Sequence, residues 1–174
     1  MANPPSILIY GFAPFRRYRR NVTQDIIESL PQRPNWHREV LPVRFEAGLF
    51  LPLLENLQPE YVLGLGQCPR GEQLRIERRG HNHMRENKAD PLAPIDPAGP
   101  DHLAPNWTIG ANSQRRLSYD AGSYVCNYSI YLLGRHAAER GAKYAFLHIP
   151  RNYPVKVGLR HIVQLLEETE RVNS

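Results

Sequence analysis

An α/β/α sandwich built on a mostly parallel central sheet is predicted by three features of the sequence. Short apolar runs recur at Ser6–Tyr10 (SILIY), Tyr61–Gly66 (YVLGLG) and Tyr144–Ile149 (YAFLHI), each continuous rather than alternating, as strands buried on both faces require. Between them lie stretches with apolar residues at helical spacing, such as Leu49, Phe50, Leu53, Leu54 and Leu57. The two kinds of segment alternate along the chain, the pattern of a sheet layered between helices. A length of 174 residues suits one domain over 1–174 with a sizeable core.

The elements follow in order. After Ser6–Tyr10, Gly11 breaks the run and GFAPF forms a loop carrying two aromatic rings. Thr23 is placed to cap a short helix presenting Ile26, Ile27 and Leu30, which Pro31 and Pro34 end. Arg38–Val43 reads as a strand, and Pro52 is expected to bend the helix that follows. Leu74–Glu77 alternates apolar and polar residues and is a weaker strand. Periodicity is lost from Gly80 to Pro105, where Pro91, Pro94, Pro97, Pro100 and Pro105 predict a long irregular loop, over 80–105. Leu117–Tyr119 is a short strand, Asp120–Gly122 a turn, and Ser123 the N-cap of a helix running towards Arg140. Val155, Leu159, Ile162 and Leu166 mark a final amphipathic helix.

Composition narrows the class. Mean hydropathy of −0.51 suits a soluble globular protein, no apolar run approaches membrane-spanning length, and Met1–Ile9 is too short and uncharged for a signal peptide. Two cysteines make no disulfide framework, which points to the cytoplasm, and the lack of a long apolar run leads to no membrane partner being expected. The net charge of +5 owes much to Arg16, Arg17, Arg19 and Arg20 around Tyr18. So short a cluster fits a solvated loop or a contact to an acidic substrate segment better than a nucleic-acid surface, so no nucleic-acid partner is expected. His81, His83 and His102 lack the cysteines or carboxylates of a metal site, and no phosphate-cradling glycine loop is present, so neither metal nor cofactor is expected.

In parallel sheets ligands collect beyond the carboxyl ends of strands. Four segments are expected to leave a strand at that edge: Gly11–Phe15, Gly66–Cys68, Asp120–Gly122 and His148–Pro150. Cys126 would lie in the first turn of a helix, where unpaired N–H groups favour a thiolate. His148 closes a strand at the same edge, as a Cys–His pair would need. Taken singly, Cys126 also reads as a small buried apolar residue, His148 as a satisfied strand end, Glu77 as a solvated charge, and Phe12 and Phe15 as core.

Five separated motifs resolve these alternatives. Gly11-Phe12-Ala13-Pro14-Phe15 resembles GFxPF, with Asn21 beyond it, and Gly66-Gln67 resembles a GQ strand end. Ile76-Glu77-Arg78, with Asn82, resembles a segment bearing a glutamate; Ala121–Tyr128 is close to AGxxxCN, and His148-Ile149-Pro150 to HxP. Together, and in this order, they resemble the pyroglutamyl peptidases of the pyrrolidone-carboxylate peptidase type, cysteine peptidases that remove N-terminal pyroglutamate. The resemblance implies Cys126 as nucleophile, His148 as general base and then acid, and Glu77 as the carboxylate orienting the imidazole. It assigns Phe12, Phe15, Asn21 and Gln67 to the pyroglutamyl pocket, a peptide with N-terminal pyroglutamate as substrate, and assembly into homo-oligomers.

The chain departs from the family's pattern at several points. Arg16-Arg17 stand where the family has a glycine pair, and Val22 replaces the proline after Asn21. Arg70-Gly71 reverses the family's Gly-Arg, and the arginine of a later ARIPDN segment is missing from Asn87-Lys88-Ala89-Asp90. This is a shortened, divergent member by resemblance, in which weaker closure over substrate is expected. The alternative is a weakly active or inactive small-molecule or peptide-binding protein on the same scaffold, distinguished by turnover.

Overall fold

The computed structural model describes residues 3–173 of the chain, so the two ends of the expected 1–174 span lie outside the described residues. In chain order the elements are β1 (Ile7–Phe12), α1 (Val22–Ser29), β2 (Trp36–Leu41), α2 (Ala47–Leu57), β3 (Tyr61–Cys68), β4 (Leu74–Glu77), β5 (Gly80–His81), β6 (His102–Leu103), β7 (Arg115–Ser118), α3 (Val125–Glu139), β8 (Lys143–Pro150) and α4 (Val155–Val172). Six strands form one sheet in the order β2–β1–β3–β8–β4–β7. The three apolar runs become its adjacent central strands β1, β3 and β8, all parallel. β2 lies parallel to β1 at the edge, while β4 and β7 are parallel to each other and antiparallel to β8. The fold is therefore α/β with a mostly parallel sheet.

The period of two along each strand sends its buried residues into two layers. Ile7, Ile9, Leu63, Leu65, Leu147 and Ile149 pack with Ile26 of α1 and Ile162 of α4 on one face. Leu8, Tyr10, Val62, Tyr144 and Phe146 pack with Phe50 of α2 and Leu133 of α3 on the other. Burying each such large apolar side chain contributes roughly 1.5–3 kcal/mol before chain entropy is subtracted.

Several local expectations are corrected. Gly11 does not end β1: the strand runs through it to Phe12, and the missing side chain lets Thr23 approach to 2.9 Å from where a Cβ would stand. Thr23 is not a cap; Asn21 is, accepting the Thr23 N–H at 3.0 Å, while the buried Thr23 hydroxyl accepts the Phe12 N–H. The strand expected at Arg38–Val43 lies at Trp36–Leu41 and stops before Pro42, which has no N–H to continue it. α3 begins at Val125 with Tyr124 as an uncapped N-cap, and Ser123 instead accepts the Arg85 Nε–H at 3.0 Å. Cys126, second residue of α3, remains in the first turn. The shared carboxyl edge holds for β1, β3 and β8 only. β7 runs against them, and the chain returns over the α3 face through Asp120–Tyr124, with Gly122 at φ 82° making the turn.

The 80–105 segment is tied down at several points. β5 and β6 pair antiparallel, Met84 and Ala93 bridge, and Asn82 donates to the Asp96 carbonyl and accepts its N–H. Its main anchor is Asn127, wholly buried beside Cys126. That amide accepts the His81 N–H at 2.8 Å and donates to the carbonyls of His81 (2.9 Å) and His83 (2.8 Å).

Candidate active site

His148 enters the site because β8 ends there, and its side chain points to the α2/α3 layer. Its partner in parallel register on β3 is Gly66. On β4, Arg75 pairs with His148 and Ile76 with Leu147, so Glu77 stands two residues along on the same face, diagonal to the histidine. The Glu77 carboxylate accepts from His148 Nδ1 at 2.8 Å, fully buried, and its other oxygen has no hydrogen-bond partner among the described residues. The imidazole is thus the group that balances this buried charge. Nδ1 being taken, Nε2 is left for the other side of the ring.

Cys126 occupies that side. A Cβ built on Gly66 would stand 2.7 Å from Cys126 Sγ, so the sulfur rests on the bare backbone of the residue paired with His148. Only glycine at 66 leaves that space. The helix is held in place by a buried chain of hydroxyls. Tyr10 donates to Ser129 at 2.9 Å and, its one hydroxyl hydrogen being used there, accepts from Tyr144 at 2.7 Å, and Ser129 donates to the Cys126 carbonyl at 2.9 Å. The uncapped first turn of α3 presents N–H groups with no intrahelical acceptor beside the sulfur.

His148 is pushed up to about 9 from 6.5. Burial is the largest influence and pulls downward, but the charge of Cys126, its hydrogen bond to the ring and the Glu77 carboxylate together outweigh it. The ring therefore holds its proton at neutral pH. A cysteine facing an imidazolium that a buried carboxylate orients is an arrangement for thiol nucleophilic catalysis. Cys68 lies nearby but burial raises its thiol, opposed in part by Arg75, so it stays protonated more readily.

These groups open onto a cavity of about 830 Å³, within the range of small-ligand sites. Phe12, Phe15, Asn21, Gln67, Cys126 and His148 all line it; Glu77 lies behind the histidine with no exposure. Phe12 is fixed edge-on to Tyr10 at 5.9 Å, and half-buried Phe15 packs on Tyr18 and Tyr124 at 5.5 and 6.0 Å. Gln67 Oε1 accepts the Val22 N–H at 3.0 Å, which fixes the amide with its NH2 as the free end. Asn21 is committed to backbone: Oδ1 receives Thr23 N–H and hydroxyl, and Nδ2 donates to the Ala13 carbonyl at 3.3 Å.

Three further residues matter. Gly66 makes room for the sulfur, and Asn127 fastens the 80–105 segment beside Cys126. Both sit inside motifs read above, but their roles depend on neighbours distant in sequence. Arg85 lines the cavity from the 80–105 segment, held by Ser123. Nothing in its flanking residues marked it.

Comparison with known proteins finds peptidases similar to this chain. The family model described as pyroglutamyl peptidase matches residues 110–162, which include Cys126 and His148. The pyrrolidone-carboxylate peptidase of Halalkalibacterium halodurans is 31% identical, over 83% of this chain and 83% of its own. That of Saccharolobus islandicus (strain L.S.2.15) is 28% identical over 83% and 79%. In fold, a mutant pyrrolidone carboxyl peptidase from Pyrococcus furiosus superposes with a TM-score of 0.83 at 22% identity, covering 97% of this chain and 99% of that one. The Thermococcus litoralis enzyme gives 0.82 at 20%, covering 95% and 93%. The chain belongs to the pyrrolidone-carboxylate peptidase family.

Proposed function

We propose that the protein is a cysteine omega peptidase that releases an N-terminal pyroglutamyl group from peptides. The observation that carries this is the convergence of Cys126, His148 and buried Glu77 on one cavity that also holds two aromatic rings and an oriented amide. The lactam lies against Phe12 and Phe15, with Gln67 Nε2 donating to its carbonyl. Asn21 serves the pocket by holding the Ala13 carbonyl and the entry to α1.

Cys126 attacks the pyroglutamyl carbonyl carbon as a thiolate, and the displaced electron pair moves to oxygen. The unpaired N–H groups at the start of α3 stabilise that oxyanion. His148 Nε2 passes its proton to the departing amine, the C–N bond breaks, and a thioester remains. Water then attacks the thioester, giving its proton to the now neutral imidazole. Pyroglutamate leaves and the thiolate–imidazolium pair is restored. Glu77 keeps Nδ1 protonated and the ring in plane throughout.

Both cysteines are free, which fits a reducing cytoplasm, and no helix among the described residues is long and apolar enough to cross a membrane. The test is hydrolysis of a chromogenic pyroglutamyl amide by wild type and Cys126→Ala. Wild type turns over and the variant does not. Folded wild type that cleaves nothing while Cys126 remains alkylatable refutes the reading.

A further inference from the structure

The cavity is divided by depth. Phe12, Asn21, Cys68, Val125 and His148 form its buried floor, whereas Arg16, Arg17 and Lys88 are exposed at its mouth and Arg85 is half-buried beside them. Against these cations the lining offers two carboxylates, Glu86 and Asp120, and Asp120 already accepts the Gly122 N–H. None of Arg16, Arg17, Arg85 or Lys88 forms an ion pair among the described residues.

Neutral groups hold them instead. Arg16 donates to the Glu86 carbonyl at 3.0 Å, joining the loop after β1 to the 80–105 segment, and its guanidinium lies 4.8 Å from the centre of the Tyr124 ring. Arg85 donates to Ser123 Oγ and the Lys88 carbonyl. Arg17 lies over Tyr18, which Arg151 also faces, at 5.8 and 5.5 Å. Carbonyls, a hydroxyl and ring faces position these groups without neutralising them, so the mouth keeps a concentrated positive field.

We infer that this mouth is an anion-binding subsite that makes the protein prefer peptides with an acidic residue directly after the pyroglutamyl group. The inference rests on the proposed function. With the ring on the floor and its carbonyl at Cys126, the next residue must pass outward between Arg16, Arg17 and Arg85. A carboxylate there finds guanidiniums with unused donors, and a lysine side chain meets like charge.

The test compares pyroglutamyl-glutamate with its neutral isostere pyroglutamyl-glutamine, and with pyroglutamyl-lysine, at 20 and 500 mM salt, between which the Debye length shrinks roughly fivefold. At low salt kcat/KM for the glutamate peptide should exceed that for glutamine by about three- to tenfold, mainly through KM, and shrink towards parity at high salt. Lysine should fall below both. Arg17→Gln, an exposed change that spares the core, and Arg85→Gln should each lower the glutamate-to-glutamine ratio.

Calorimetric binding of the same three peptides to Cys126→Ala reads the preference without turnover. Failure to cleave any pyroglutamyl peptide, with the charge ranking kept in binding, would overturn the peptidase reading and leave the subsite standing. Cleavage of all three at rates within twofold, or a ranking indifferent to salt and to both arginine variants, overturns the subsite alone. Absence of both cleavage and binding for all three peptides overturns both.

Discussion

Replacing Gly66 by alanine adds one methyl group at the point where Cys126 and His148 meet. That carbon would stand 2.7 Å from Cys126 Sγ, 2.7 Å from Phe146 Cζ and 2.9 Å from Phe146 Cε1. The first two lie about 0.7 Å inside the 3.4 Å at which ordinary contact begins. Neither neighbour yields freely. The Phe146 ring is fully buried and lies edge-on to His148 at 5.2 Å, while the Ser129 and Tyr10 hydroxyls hold the start of α3. Relief therefore displaces the sulfur, the imidazole or both by several tenths of an ångström. Overpacking of this kind costs about 1–3 kcal/mol, and misplacing reacting groups by about 1 Å costs about 10²-fold in rate. The expected result for Gly66→Ala is a fall of about 30- to 100-fold in kcat on a pyroglutamyl amide, with a Tm lowered by about 3–10 °C. Gly110→Ala is the control, because a Cβ there meets nothing within 4 Å and the backbone is not left-handed. Should Gly66→Ala keep its kcat within twofold and its Tm within a degree, Cys126 does not sit where the site requires.

Three other outcomes follow from the geometry. His148 should titrate near pH 9 by NMR, and since losing that proton removes the acid proposed for the leaving amine, turnover should fall as pH rises through about 9. Cys126→Ala removes a group that raises this pKa and leaves burial less opposed, so the resonance must then titrate lower; an unmoved midpoint contradicts the pairing. Asn127→Ala leaves the His83 carbonyl and the His81 N–H without partners and leaves the His81 carbonyl only the His83 N–H, costing about 3 kcal/mol and about 6–12 °C in Tm, with faster proteolysis between residues 80 and 105. A shift below 2 °C would mean that the segment is anchored elsewhere. Gln67→Ala should narrow the preference for pyroglutamyl over prolyl amides by about tenfold, since the proposed recognition pairs the lactam carbonyl with this amide; an unchanged ratio would remove Gln67 from recognition.

The central strands and long helices were legible because they rest on burial, which continuous apolar runs and helical spacing display directly. Gly11 and Thr23 were misread for one shared reason. Glycine reads as a breaker and threonine as a cap until one knows that the two pack on each other across a strand and a helix. The orientation of β4 was hidden as well, since a four-residue strand carries no mark of direction and its partner lies about seventy residues away. Of the candidate site, the residue types and their order were visible, but their meeting was not. Asn21 shows the remaining gap: its identity pointed to the pocket, and its hydrogen bonds are spent on Thr23 and Ala13.

The diagonal from Glu77 to His148 crosses the antiparallel junction of β4 with β8, and this makes the site sensitive to parity. Side chains alternate along a strand, so sliding β4 by one residue would bring Ile76 or Arg78 to the face of His148 and turn the carboxylate into the layer of α1 and α4. Sliding it by two would restore the face but carry Glu77 about 6.8 Å along the strand, beyond reach of the ring. Length changes are therefore tolerated unequally within a few residues of one another. The turn at 69–73 can grow or shrink while β4 keeps its register, whereas a single residue gained or lost inside Leu74–Glu77 separates the carboxylate from the imidazole without touching either.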